Sequence, residues 1–133
     1  DLRNAVVVAV LPAVNVERMA RFYEQTLGLK RDRLSTPDNV VFSLQWNTML
    51  ALYRRSAPSR SDHTAAEFLV EDLESTMDTL VERGVKFERY DLPNLKTDER
   101  GIWESDAGKA AWFRDPEGNM LAVTQPAPRL VGV

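Results

Sequence analysis

The chain of 133 residues has no cysteine. Disulfides, thiolate nucleophiles and cysteine-ligated zinc are thereby excluded, and a reducing cytoplasm is the expected compartment. The longest apolar run, AVVVAVLPAV at 5–14, is far short of the ~20 residues of a membrane span. It also lacks the basic flank and cleavage site of a signal peptide, so neither membrane nor export is expected. Positive charge is not in excess: 17 Lys and Arg stand against 20 Asp and Glu, for a net charge of −3. The two signs are interleaved, which disfavours a nucleic-acid-binding stripe. There is no glycine-rich phosphate loop and no serine elbow with a matching histidine. The turn DPEGN (115–119) lacks the alternating oxygen ligands of a calcium loop and reads as a tight turn around Pro116 and Gly118.

What is present is ordinary for a soluble globular protein, 44% hydrophobic and 28% charged, in a length that suits one domain. Residues 5–14 read as a buried strand. Asn15 then suits a helix N-cap, with Glu17 in the first turn. Val16, Met19, Tyr23 and Leu27 follow at helical spacing, and Gly28 suits the left-handed C-cap. Extended segments are predicted at about 29–36, 39–45 and 48–54, the last two joined by a tight turn near Trp46 and Asn47. The polar stretch RRSAPSRSDHT (54–64) reads as a linker.

The plan then repeats. AAEFLV (65–70) reads as a strand, and Asp72 caps a helix with Leu73, Met77, Leu80 and Val81 on one face, closed by Gly84. VKFERYDL (85–92) alternates as a half-buried strand does, a long charged loop spans 93–108, and KAAWFR and MLAVTQ flank the turn DPEGN. The tail PAPRLVGV (126–133) reads as irregular. Asn15 and Asp72 are equivalent at an offset of 57, and the near-identical fragments TMLALY (48–53) and NMLAVT (119–124) at an offset of 71. Each half is therefore a βαβββ module, the first about 5–54, the second about 65–125, with the linker at 55–64 between them.

This duplicated plan, with NVERMARFYEQTLGL in the first half and DPEGNMLAV closing the second, resembles the vicinal oxygen chelate superfamily. That group includes glyoxalase I, extradiol dioxygenases, fosfomycin-resistance enzymes and bleomycin-resistance proteins. The match runs from about residue 5 to 125. The resemblance implies an α+β fold of two four-stranded sheets, each curled round a concave pocket with one helix on its convex side. It also implies a homodimer, side by side or module-swapped. In metal-dependent members the ligands project from the first and last strands of each module. The corresponding positions here are Val8, Ala51, Ala65 and Ala122. None of these side chains has a lone pair, whereas zinc, iron or manganese needs three or four N, O or S donors. No metal and no other cofactor are therefore expected.

Side-chain parity along the strands places Val8, Val10, Pro12, Met49, Tyr53, Met120 and Thr124 on the concave faces, an apolar set suited to a small organic molecule. The alternative is a plain core or a dimer interface. Trp46, Trp103 and Trp112 fall outside the helices and offer stacking surface; either Trp112 or Phe113 faces the pocket. Glu67 shares its face with Ala65, where it suits acid–base work or a cationic ligand. Otherwise it lies at a sheet edge or pairs with an arginine such as Arg114 or Arg54. His63, the only histidine, is a weaker catalytic candidate and otherwise a solvated residue ending the linker. The reading that results is metal-independent binding of an aromatic or drug-like molecule, similar to the antibiotic-sequestering proteins of the superfamily. One alternative is a lyase or dioxygenase using a displaced metal site or Glu67. Another is a structural or regulatory dimer with a vestigial pocket.

Overall fold

The computed structural model describes residues 1–128. These form two compact units, one of residues 1–65 with 115–119, the other of 66–114 with 120–128. No helix of the described residues is long and apolar enough to cross a membrane.

In the first unit, β1 (Val8–Ala13) leads into α1 (Val16–Arg21), which continues as a wider turn over Phe22–Thr26. The Asn15 side chain accepts from Arg18 N, satisfying one of the helix's open donors. Gly28 follows with φ 77°, the conformation its position predicts. Strands β2 (Lys30–Arg31), β3 (Asn39–Ser43) and β4 (Met49–Arg54) complete a sheet ordered β1-β4-β3-β2, with β1 parallel to β4 and the other pairs antiparallel. Period-two alternation divides its faces. Leu11, Ala13, Val40, Phe42, Leu50 and Leu52 are buried on the side of α1, whose Val16, Met19, Ala20 and Tyr23 are also buried. Val8, Val10, Met49, Ala51 and Tyr53 occupy the other face.

The predicted extension over 29–36 shrinks to two residues. The cause is Asp32, whose carboxylate accepts from Leu34 N and Ser43 Oγ and turns the chain there. At the β3–β4 connection, Leu44 N bonds Thr48 O at 2.9 Å, and both Trp46 (φ 58°) and Asn47 (φ 60°) are left-handed.

The DPEGN segment belongs to this unit. Asp115 N bonds Asn119 O at 3.0 Å, and Gly118 takes the left-handed position with φ 90°. Asp115 and Asn119 are the buried polar residues of the described chain. Asn119 Nδ2 donates to Pro12 O at 3.3 Å and to Asp115 Oδ2 at 2.7 Å, and Asp115 Oδ1 accepts from Glu117 N and Asn119 N. Glu117 accepts from Val14 N (2.7 Å) and Asn15 N (2.9 Å), just ahead of α1.

The second sheet starts with β5 (Thr64–Leu69), whose first two residues count with the first unit. Helix α2 (Leu73–Glu82) is capped by Asp72, which accepts from Ser75 N. It buries Leu73, Met77 and Leu80, each worth about 1.5–3 kcal/mol on full burial. Val81, expected on that face, is 52% exposed. Then come β6 (Asp91–Leu92), β7 (Leu95–Lys96), β8 (Trp103–Ser105), β9 (Gly108–Arg114) and β10 (Met120–Pro126). The sheet order is β5-β10-β9-β8, with β6 and β7 forming a separate hairpin. Each module thus contributes a four-stranded sheet with a helix on one face, as the repeat predicts.

Two predictions for this half need correction. VKFERYDL is not a strand: of its residues Asp91–Leu92 form the short strand β6, and Glu88 N bonds Trp112 O at 2.8 Å. The edge of β9 is instead taken by β8, from the segment read as a continuous loop. That segment is largely built. The turn from Asp98 to Gly101 closes with Gly101 N to Asp98 O at 3.0 Å. A Cβ on Gly101 would stand 2.5 Å from Glu88 O, so only glycine lets these backbones meet. The sequence predicts an irregular tail from residue 126, but Pro126 closes β10; residues 129–133 lie outside the described chain.

Candidate functional site

Antiparallel pairing of β9 and β10 settles which aromatic faces which way. Ala122 stands opposite Trp112, and Leu121 opposite Phe113. Phe113 is buried on the helix side with its ring 5.6 Å from that of Phe87. Trp112 is half-buried on the other face.

Three aromatic rings meet on that face. Trp112 lies 6.0 Å from Tyr90 at 79° and 6.3 Å from Trp103 at 54°. Trp103 stands opposite Ala110, so each indole has an alanine as its cross-strand neighbour. An alanine beside an indole leaves the ring's volume free, and this gives Ala122 a local reason to be small. Centroid separations of about 6 Å mean that the rings pack on each other. A guest has no room between them and would have to stack on an exposed face. Met120 is buried beside them, with Tyr90 Oη 3.9 Å from its Sδ.

Sequence reading missed Tyr90, which carries the polar phase of VKFERYDL and so looked solvent-directed. It is held by Thr97, whose Oγ1 accepts from Tyr90 N at 2.8 Å and whose own N donates to Tyr90 O at 3.0 Å. The β6–β7 hairpin between these residues acts as the clamp.

The predicted residues therefore separate. Trp103, Trp112, Met120 and Thr124 share the helix-free face of the second sheet. Val8, Val10, Met49 and Tyr53 share the corresponding face of the first, with Arg55 5.7 Å from the Tyr53 ring centroid. Trp46 sits at the β3–β4 tip, 88% exposed. Glu67 is exposed on β5; Arg54 pairs with Asp38 and Arg114 with Glu88. His63 is exposed at the linker's end, its Nδ1 against Ser61 Oγ.

The residues at the family's metal positions do not fit a metal. Ala51 and Ala122 are buried alanines, Val8 is apolar and Ala65 is exposed on β5. Among the described residues no group of three His, Asp or Glu is placed to hold an ion. The clearest electrostatic perturbation lies elsewhere, at Tyr23. Burial first, then the charge and hydrogen bond of Asp115, hold its phenol well above the ordinary value.

Comparison with known proteins agrees with this architecture. The Glyoxalase/Bleomycin resistance protein/Dioxygenase superfamily model matches residues 5–123. Among solved structures, a putative glyoxalase family protein from Bacillus anthracis superposes with a TM-score of 0.69 at 15% identity, covering 96% of this chain and 98% of that one. TnmS3, an antibiotic binding protein from Streptomyces sp. CB03234, gives 0.64 at 20% identity over 93% and 97%. The oxidase ChaP-H2 gives 0.64 at 21% over 98% and 97%. At these identities the likeness is one of fold. No curated protein matches the chain by sequence. With the family model spanning nearly the whole chain and both modules in place, the chain belongs to the glyoxalase/bleomycin resistance protein/dioxygenase superfamily.

Proposed function

We propose that this protein binds a small planar organic molecule on the helix-free face of the second sheet, without a metal. The observation that carries this reading is the cluster of Tyr90, Trp103 and Trp112 on the same face as Met120 and Ala122. Clustered aromatics give large contact area at low entropic cost, and Met120 packs beside them as a polarizable apolar support. Alanine or valine at the four family ligand positions supports the metal-free part, since none of them can donate a lone pair. That TnmS3, a neighbour in fold, is an antibiotic binding protein supports a drug-like ligand class. Glu67, exposed on β5 of the same sheet, is the group to orient a cationic substituent.

The competing reading is an enzyme of this superfamily working through a displaced site, as the oxidase ChaP-H2 among the fold neighbours suggests. Metal dependence separates the two. The test is a tryptophan-fluorescence titration of chelator-treated protein against a panel of planar aromatic drugs. Saturable quenching is expected, lost in Trp112→Ala and unchanged when zinc or iron(II) is added. Binding that appears only after metal addition would overturn the proposal.

A further inference from the structure

The two modules part where the helix hands over to the edge strand. In the first, Leu29 alone separates Gly28 from β2; in the second, residues 85–102 separate Gly84 from β8. The added length carries the β6–β7 hairpin, which forms a two-stranded sheet of its own. Among the described residues the first module has no counterpart of it, so the βαβββ plan closes without one.

Register shows which way this hairpin faces. Asp91 pairs with Lys96 and Leu92 with Leu95, and the Tyr90–Thr97 contact continues the same ladder by one rung. Cross-strand partners share a face, and successive residues alternate. Tyr90, Leu92, Leu95 and Thr97 therefore share one face. Asp91 and Lys96 share the other, where they border an open charged groove with Arg89 and Arg100. The Tyr90 face is the one that enters the aromatic cluster, since the Tyr90 ring packs on Trp112. Leu92, two residues on, is 52% exposed, and Leu95 is half-buried. A hairpin this short is marginal by itself, so its leucines build no core of their own.

We propose that the β6–β7 hairpin is a binding arm: Leu92 and Leu95 extend the platform of Tyr90, Trp112 and Trp103 and set the ligand class as an extended polycyclic molecule. This rests on the reading of the aromatic face as the ligand site. Ring centroids step 6.3 Å from Trp103 to Trp112 and 6.0 Å from Trp112 to Tyr90. Leu92 lies about 7 Å further along the chain, at the rise of an extended strand. A small ring system is covered by the aromatics alone and gains nothing from the arm. A longer fused system reaches past Tyr90 and buries area against Leu92 as well. Leu92 thereby selects for ligand length. The exposed Asp91–Lys96 pair, 3.8 Å apart, keeps the arm's charge on the opposite face.

Calorimetric titration of the full chain with 2-naphthol and with 1-hydroxypyrene tests this, with Leu92→Asn, Asp91→Ser and Trp112→Ala alongside. The parent should bind hydroxypyrene more tightly than naphthol. L92N should lose on the order of tenfold in affinity for hydroxypyrene, the scale of half a leucine's burial, and stay within about twofold for naphthol. D91S, altered on the opposite face, should bind both as the parent does. W112A should lose both. Equal affinity of the parent for the two probes, or L92N weakening neither or both alike, overturns the arm and leaves the aromatic face in place. D91S matching the loss of L92N overturns it too, because hairpin integrity rather than the leucine face then sets affinity. A parent that binds neither probe, or W112A that binds both unchanged, overturns the aromatic-face reading and the arm with it.

Discussion

The Tyr23 hydroxyl donates a 2.7 Å hydrogen bond to Asp115 Oδ2, across 92 residues of sequence. Tyr23 belongs to the FYEQTLGL helix end and Asp115 opens DPEGN. The two motifs that mark the family are thus one buried contact. Asp115 also takes Asn119 Nδ2 and two backbone donors, so its carboxylate is saturated within the first unit.

Tyr23→Phe removes a donor from a buried carboxylate and should cost about 1.5–3 kcal/mol in urea denaturation. The pH profile carries a second signature. The phenol's pKa is raised in the folded state, so folding binds that proton more tightly than the unfolded chain does. The contribution is complete below the ordinary tyrosine value of about 10 and is lost as pH rises through the folded value. Y23F should flatten this alkaline loss. An unchanged alkaline limb would remove Tyr23 from the titration.

Glu117 holds the entry to α1 through Val14 N and Asn15 N, with its side chain 6% exposed. Glu117→Ala should destabilise by about 1–2 kcal/mol, the scale of a lost helix cap. Glu117→Gln, which keeps an acceptor oxygen, should recover part of that. Equal loss in both variants would point to charge rather than hydrogen bonding.

Phe113 and Trp112 are neighbours in sequence and opposites in role. Phe113→Ala should cost about 3–5 kcal/mol, the scale of a large aromatic removed from a packed core. Trp112→Ala should cost less than half of that, because Trp112 is only half-buried, on the helix-free face. Equal thermal shifts in the two variants would contradict the assigned facing.

Tag-free protein incubated with zinc, nickel, manganese or iron(II), then freed of excess and analysed for elements, should retain no stoichiometric metal. The reason is the donor-poor set Val8, Ala51, Ala65 and Ala122. One tightly held ion per chain would show that ligands outside those positions bypass it.

Much of the fold was legible because its signals are local. Asn15 and Asp72 cap helices through their own side chains, and Gly28 and Gly84 turn left-handed after them. The repeat of MLAL and MLAV marks equivalent strands. The segment 85–92 shows where such reading stops. Val85 is buried and Phe87 packs on Phe113, so the alternation is real, yet β8 takes most of the ladder with β9. Side-chain periodicity reports which face packs, not which backbone wins the hydrogen bonds. The site divided in the same way. Strand parity placed Trp112, Met120 and Thr124 on one face once the register was known. Tyr90 was hidden because a hairpin closed by Thr97, not a strand, aims it. The tight turn at Trp46 and Asn47 was legible from the extended segments on either side of it.

The most direct test of ligand binding on the aromatic face is a 1H–15N NMR titration of the three tryptophan indole N–H signals, on chelator-treated protein with a planar aromatic ligand found by quenching. Trp103 and Trp112 should shift together and saturably while Trp46 stays in place. Shifts confined to Trp46, or saturable binding with Trp103 and Trp112 unmoved, would contradict ligand binding on that face.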